Sequence, residues 1–284
     1  MLLKLIRCFL TIKKNKRNNF SLLFSYCILT LIECCISIPV YPGNVSLTYD
    51  QVIASYKRLD SIYDQAKMIT YGKTDSGEPL HLFIISKTKV FDPVRLHELN
   101  KCILMINNGI HPGEPDGIDA SLILANDLLS KPLYGRMLDN VVVCIIPVFN
   151  IDGALERGCC SRVNQNGPDE YGFRGNSKNL DLNRDFMKTD ARNTRSLINI
   201  ARSWDPDVFI DTHVSNGADY QYTMTLITSQ HNKLNADVGK FIKEKPDVND
   251  KDKNVISETG PPIVILQHLV SNFLNMHGTG ENVT

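Results

Sequence analysis

Three short, nearly continuous apolar runs, at residues 102–107, 141–148 and 207–212, set the tightest limit on how this chain can fold. Each is rich in Val, Ile or Leu with no polar alternation, which is the pattern of strands buried on both faces. Segments of helical spacing lie between the first two runs, at 117–130, and before the third, at 191–204. Strands alternating with helices predict an α/β fold, a mostly parallel mixed sheet flanked by helices. Upstream, Thr48 and Gln51 make a capping box, and Val52, Tyr56, Leu59, Ile62, Tyr63 and Ala66 recur at helical spacing, so a first helix is expected over 49–68. The turn-rich stretch 72–79 then leads into a strand over 80–86, expected to pair with the residues before Gly72. A further helix is expected from Gln230 to Lys243, followed by a charged linker over 245–253.

Charge and cysteine content exclude several classes. The 31 basic and 31 acidic side chains balance, but residues 1–40 carry six bases against the single acid Glu33. The remainder is therefore mildly acidic, with no electrostatic reason to bind nucleic acid. The bases of the N-terminal segment end at Arg17 and precede an apolar run over 20–40. This reads as an export signal or an N-terminal anchor. Its uninterrupted part, 20–32, is short for a bilayer span of roughly 20 residues. Cleavage and a periplasmic or secreted location are expected, with membrane association only if the segment is retained. Three regions follow: 1–40 as signal or anchor, 41–244 as the main folded domain, and 245–284 as an atypical tail. Four of the eight cysteines lie in the N-terminal segment. The others, Cys102, Cys144, Cys159 and Cys160, show no C-x-x-C spacing, so no zinc ribbon or redox motif is expected and a disulfide is not compelled.

The chemistry gathers at the strand ends. The run ending at Asn107 is followed by Asn108-Gly109-Ile110-His111-Pro112-Gly113-Glu114, and the run ending at Thr212 leads into His213. The carboxyl ends of sheet strands are where α/β folds place ligands. An imidazole and a carboxylate three residues apart on a Pro-Gly turn can face one ion. With His213 they make a His₂Glu set with a fourth position open to water, the arrangement of catalytic zinc. Between these points, residues 150–188 have no helical or strand period, and a loop of that length in a compact domain is usually functional. No H-E-x-x-H helix, G-x-S-x-G elbow or Walker loop is present. His81, His97, His231, His268 and His277 lack a neighbouring acid or cysteine at ligand spacing and are read as packed or surface residues. Tyr220 and Tyr222 alternate along an expected strand and are read as structural.

The string from His111 to Glu114 resembles the metal site of the M14 family of zinc carboxypeptidases, and Asp181-Leu182-Asn183-Arg184 resembles that family's D-x-N-R motif. The resemblance covers roughly residues 49–231. It implies one zinc ion on His111, Glu114 and His213, and a substrate C-terminal carboxylate held by Asn183 and Arg184. It further implies that Arg174, nine residues before Asn183, polarises the scissile carbonyl, and that Asp181 hydrogen-bonds a metal-bound imidazole, His111. A guanidinium suits a planar carboxylate on its own account, because it offers a rigid fork and keeps its charge. The implied activity is hydrolysis of the C-terminal peptide bond, with peptide or protein C-termini as partners.

The chain departs from the family downstream of His213. The family's general base is a glutamate well beyond the last zinc ligand, and no residue here is assigned that role. Glu258 in Ser257-Glu258-Thr259-Gly260 is only a superficial match, too near His213 and without a strand before it. The expected fold is therefore a zinc-carboxypeptidase-like sheet lacking its last elements, its C-terminal part lost or altered, with an exposed apolar edge that lowers solubility. Two other readings stand beside the peptidase. One is a zinc-dependent protein that binds peptide C-termini without cutting them. The other is an amino-acid deacylase of the same superfamily, which the D-x-N-R loop and the export segment disfavour.

Overall fold

A computed structural model describes residues 44–163, 165, 167–214, 232 and 235–244. Contacts divide the chain between Val40 and Tyr41, and every described residue lies in the unit Tyr41–Thr284. In chain order its elements are α1 (Tyr49–Ile62), β1 (Ala66–Lys73), β2 (Pro79–Ile85), α2 (Pro93–Glu98), β3 (Cys102–Asn107), α3 (Asp116–Ser130), α4 (Pro132–Gly135), β4 (Val141–Ile146), α5 (Ile151–Leu155), β5 (Arg157–Gly158), β6 (Tyr171–Gly172), α6 (Arg192–Trp204), β7 (Val208–Asp211) and α7 (Ala236–Glu244). Among the described residues no helix is long and apolar enough to cross a membrane.

Among these residues a five-stranded sheet runs in the order β1-β2-β4-β3-β7. The β1/β2 and β2/β4 pairs are antiparallel, whereas β4/β3 and β3/β7 are parallel. This is the mixed sheet with flanking helices that the alternating pattern predicts. Of the runs expected as buried strands, β3, β4 and β7, the last departs, its burial alternating with Val208 exposed, while β2 and β4 are buried at every position after their first. Such two-sided burial explains why these sequences do not alternate.

Helix α1 starts where its capping box requires. The Thr48 hydroxyl accepts the Gln51 backbone N–H at 3.3 Å, and the Gln51 side-chain oxygen accepts the Thr48 N–H at 2.8 Å. Val52, Ile53, Tyr56 and Leu59 form its buried stripe, and the Tyr56 ring meets Phe83 of β2 with centroids 4.8 Å apart. The helix is shorter than its spacing suggests. It ends at Ile62, Tyr63 turns to extended geometry, and Ala66 already belongs to β1. The apolar residues that seem to prolong the helix instead enter a ladder with β2, in which Ala66 faces Ile85 and Ile69 faces Leu82. Pairing with a fully buried strand outweighs a weak local propensity.

The described part of residues 150–188 is built on buried side-chain hubs. The Asn150 side chain caps α5 by accepting the Gly153 N–H, and its amide donates to the carbonyls of Ile110 and Arg174. The Asp152 carboxylate accepts from the hydroxyls and backbone N–H groups of Ser76 and Ser177. Polar hubs of this kind order a chain without any apolar period. Within this stretch β5 and β6 pair as a short antiparallel ladder, and Cys159 and Cys160 are joined by a disulfide. The expected helix near the end of the described residues is present as α7. The strand carrying Tyr220 and Tyr222, the histidines 231, 268 and 277, Glu258, the N-terminal segment and the tail lie outside the described residues.

Candidate metal centre

The site forms where β3 and β7 end side by side. Asn107, the last residue of β3, pairs in register with Asp211, the last of β7, and its side-chain amide donates to the Asp211 carboxylate at 2.9 Å. The neighbouring Asn108 is fully buried and joins three elements. Its amide donates to the Ile146 carbonyl at the end of β4, and its oxygen accepts hydroxyl hydrogens from Ser121 of α3 and from Thr212. Thr212 returns its own N–H to the Asn107 carbonyl. The two chain segments that lead to His111 and His213 are therefore fixed against each other before either imidazole is considered.

His111, Glu114 and His213 come together as the sequence predicts, although 99 residues separate Glu114 from His213. A ligand-type atom from each lies within 4.8 Å of those of the other two, so the cluster could hold a metal ion. The Glu114 N–H donates to the His111 carbonyl, closing the tight turn that brings the two side chains onto one side. Nδ1 of His111 lies 3.1 Å from Glu114 Oε1, and Nδ1 of His213 lies 2.9 Å from Oε2. The three side chains are 3%, 3% and 8% exposed, so the cluster is screened from bulk water.

The other ring nitrogens each meet an outer carboxylate. His111 Nε2 is 3.1 Å from Asp181, and His213 Nε2 is 3.0 Å from Asp211. A carboxylate behind a ligating imidazole fixes its tautomer and raises its basicity. Two nitrogens and one carboxylate, each imidazole so backed, are the donor set that suits zinc. The electrostatics follow from this packing. Burial works against a charge on His213, yet Asp211 and Glu114 on its two nitrogens outweigh it and push its pKa up to about 10. Burial likewise opposes ionisation of Glu114, but hydrogen bonds and attraction from His111 and His213 hold its carboxyl well below the usual carboxylate range.

The remaining candidate residues are placed as follows. Asp181 sits on His111, where the family motif implies. Arg174 grips Asp181 with Nε and Nη2 at 3.0 and 2.9 Å, and its Nη1 lies 3.4 Å from His111 Nδ1. Its guanidinium thus borders the cluster but is engaged with Asp181, and its backbone is anchored by Asn150. Asn183 and Arg184 lie on the 3₁₀ turn Leu182–Arg184 that Asp181 caps, with Arg184 exposed to solvent and donating to the Asn183 carbonyl. Of the histidines set aside, His81 meets the Thr70 hydroxyl and His97 the Trp204 carbonyl, both structural contacts.

Three functional groups escape the sequence reading. Asp211 carries a usable signal, since residues two apart in an extended chain point to the same side and Asp211-Thr212-His213 is such a pair. Asn108 lies inside the motif string but gives no sign of its buried bonding. Arg162, whose Nη1 is 2.9 Å from Glu114 Oε1, lies in the aperiodic loop with nothing local to single it out.

Comparisons with known proteins agree with this geometry. The family model for zinc carboxypeptidases, Peptidase_M14, matches residues 53–243. Carboxypeptidase 2 of Trichophyton rubrum is 24% identical over 147 residues, covering 49% of this chain and 24% of that protein. Carboxypeptidase 2 of Trichophyton tonsurans is 22% identical over 209 residues, covering 69% of this chain and 35% of its own length. The chain thus spans about a quarter to a third of these relatives. Among solved structures, carboxypeptidase A from Helicoverpa armigera superposes with a TM-score of 0.55 at 17% identity, covering 90% of this chain and 66% of that one. A metallo-carboxypeptidase from Burkholderia cenocepacia gives 0.53 at 20% identity, covering 70% and 48%. At such identities the structural likeness establishes the fold, and the family-model match extends across most of the chain: this protein belongs to the zinc carboxypeptidase family.

Proposed function

We propose that this chain is an exported zinc-dependent metallocarboxypeptidase domain acting on the C-terminal peptide bond of peptides. In this reading His111, Glu114 and His213 hold one zinc ion. The observation that carries it is the His-Glu-His cluster, in which each imidazole is backed by its own carboxylate. A bound zinc ion would lower the pKa of its water to about 7 and polarise the peptide carbonyl. The chain's own groups do the rest. Asp181 and Asp211 hold the two rings with Nδ1 turned inward. Arg174 stands beside His111, where a guanidinium that turned from Asp181 to the substrate would stabilise charge developing on the carbonyl oxygen. Asn183 and Arg184, on the adjoining exposed turn, would take the free carboxylate of the substrate.

A second reading, capture of peptide C-termini without cleavage, is favoured by one specific observation. Among the described residues, the carboxylates that touch the cluster are Glu114, Asp181 and Asp211, and each is engaged with imidazoles, arginines or amides. None of them is placed to take a proton from water. The basic and apolar N-terminal segment supports export for either reading.

Both readings are tested by incubating the purified, zinc-loaded chain with a peptide bearing a free C-terminus and with the same peptide amidated. The peptidase reading predicts release of the terminal amino acid from the free peptide only, abolished by chelation and restored by zinc. Binding of the free peptide with no release supports capture. Neither binding nor release would contradict both.

A further inference from the structure

The loop between β5 and β6 is docked onto the turn that carries two of the three clustered residues. Gln165 donates through its side-chain amide to the Gly113 carbonyl at 2.7 Å, and the Arg162 N–H donates to the Tyr171 hydroxyl at 2.9 Å. Gly113, between His111 and Glu114, has no room for a side chain. A Cβ there would lie 2.9 Å from Arg162 Cδ and 3.1 Å from the Gly172 carbonyl oxygen. The close approach lets the arginine stem pass over the turn and deliver its head to Glu114. The Arg162 side chain is 10% exposed, with Nη1 2.9 Å from Glu114 Oε1, the same oxygen that faces His111.

A guanidinium cannot shed its charge at any ordinary pH. A divalent ion on Glu114 Oε1 would therefore share one carboxylate oxygen with a fixed positive charge, in surroundings where charges are only weakly screened. We propose that Arg162 is a built-in competitor for Glu114, which holds the ligand set together without metal, must be displaced from the carboxylate when the ion binds, and so sets the affinity of the site. This rests on the metal site proposed above. Arg162 acts through Glu114 and is a positioning residue, with no part in the reaction itself.

The test compares zinc affinity, by competition with a chromophoric chelator, for the wild-type chain, Arg162→Gln and Arg162→Lys, together with their melting temperatures with and without zinc. The expected result is zinc binding about 10- to 100-fold tighter in Arg162→Gln, because the variant removes the repulsion between a fixed positive charge and the ion at close range. Arg162→Lys, which keeps the charge, should stay close to wild type. Arg162→Gln should also melt lower than wild type without metal and alike with metal, so that zinc raises its melting temperature more. If wild type takes up zinc and Arg162→Gln binds it no tighter, or melts lower by the same amount in both states, the role of Arg162 is overturned and the metal site stands. If neither protein takes up zinc, the metal site itself fails and the competitor role fails with it.

Discussion

A Cβ on Gly117 would lie 2.1 Å from Oγ1 and 2.3 Å from Cβ of Thr212, so the first turn of α3 touches the residue that precedes His213. Thr212 cannot withdraw freely, because its hydroxyl is bonded to the buried Asn108 and its N–H to Asn107. Gly117→Ala gains about 1 kcal/mol of helix propensity. The overlap is with a tethered, nearly immobile side chain, and overpacking of this kind costs about 1 to 3 kcal/mol. The net prediction is a less stable protein with weakened zinc binding, because His213 moves with Thr212. Denaturant unfolding and chelator competition measure the two effects, and equal or greater stability with unchanged zinc affinity would show that the contact does not position His213.

Asp181 meets His111 with one oxygen and Arg174 with the other. Asp181→Asn keeps the shape but removes the charge that supports both. Zinc affinity is expected to fall about 10- to 100-fold, the usual effect of losing an outer carboxylate behind a ligating histidine. The global fold should persist, since Asp181 is only partly buried. A circular dichroism spectrum like that of wild type with unaltered zinc affinity would count against the outer-carboxylate role.

Stability should depend on pH through Asp119, in the first turn of α3. Burial raises its pKa from 3.8 to about 6 and the nearby negative charge of Asp116 adds to the rise, against the opposing pull of a hydrogen bond from Leu47 and the charge of Arg157. The folded state thus holds this proton more tightly than the unfolded chain. The stabilisation is full below about pH 4 and is lost as pH rises through about 6. Asp119→Asn, neutral throughout, should gain stability relative to wild type by about 2 to 3 kcal/mol between pH 4 and pH 8. Urea unfolding at the two pH values tests this, and a difference that does not change with pH excludes Asp119 as the source.

The parts of this protein that were legible in its sequence share a physical reason. Cys102–Asn107 and Val141–Ile146 read as strands because burial on both faces leaves no other composition, and the His-x-x-Glu turn read as a site because it falls where such a strand ends. The pairing of the residues before Gly72 with β2 is as expected, but the start of β1 was hidden because Ala66 continues a helical spacing across the turn that ends α1. Asn150 and Asp152 were unreadable as organisers of the long loop, since each acts on backbone groups brought close only by folding. Arg162 is the extreme case, an arginine in an aperiodic segment whose partner, Glu114, is supplied entirely by tertiary structure.

The most direct test of the central claim is the zinc content of the purified chain, measured by mass spectrometry after dialysis with a trace of zinc, for wild type and for Glu114→Gln and His213→Ala. One zinc per wild-type chain, falling to well under half in either variant while the variants remain folded by circular dichroism, is the predicted result. A wild-type chain that retains no zinc, or variants that retain the full complement, would contradict it.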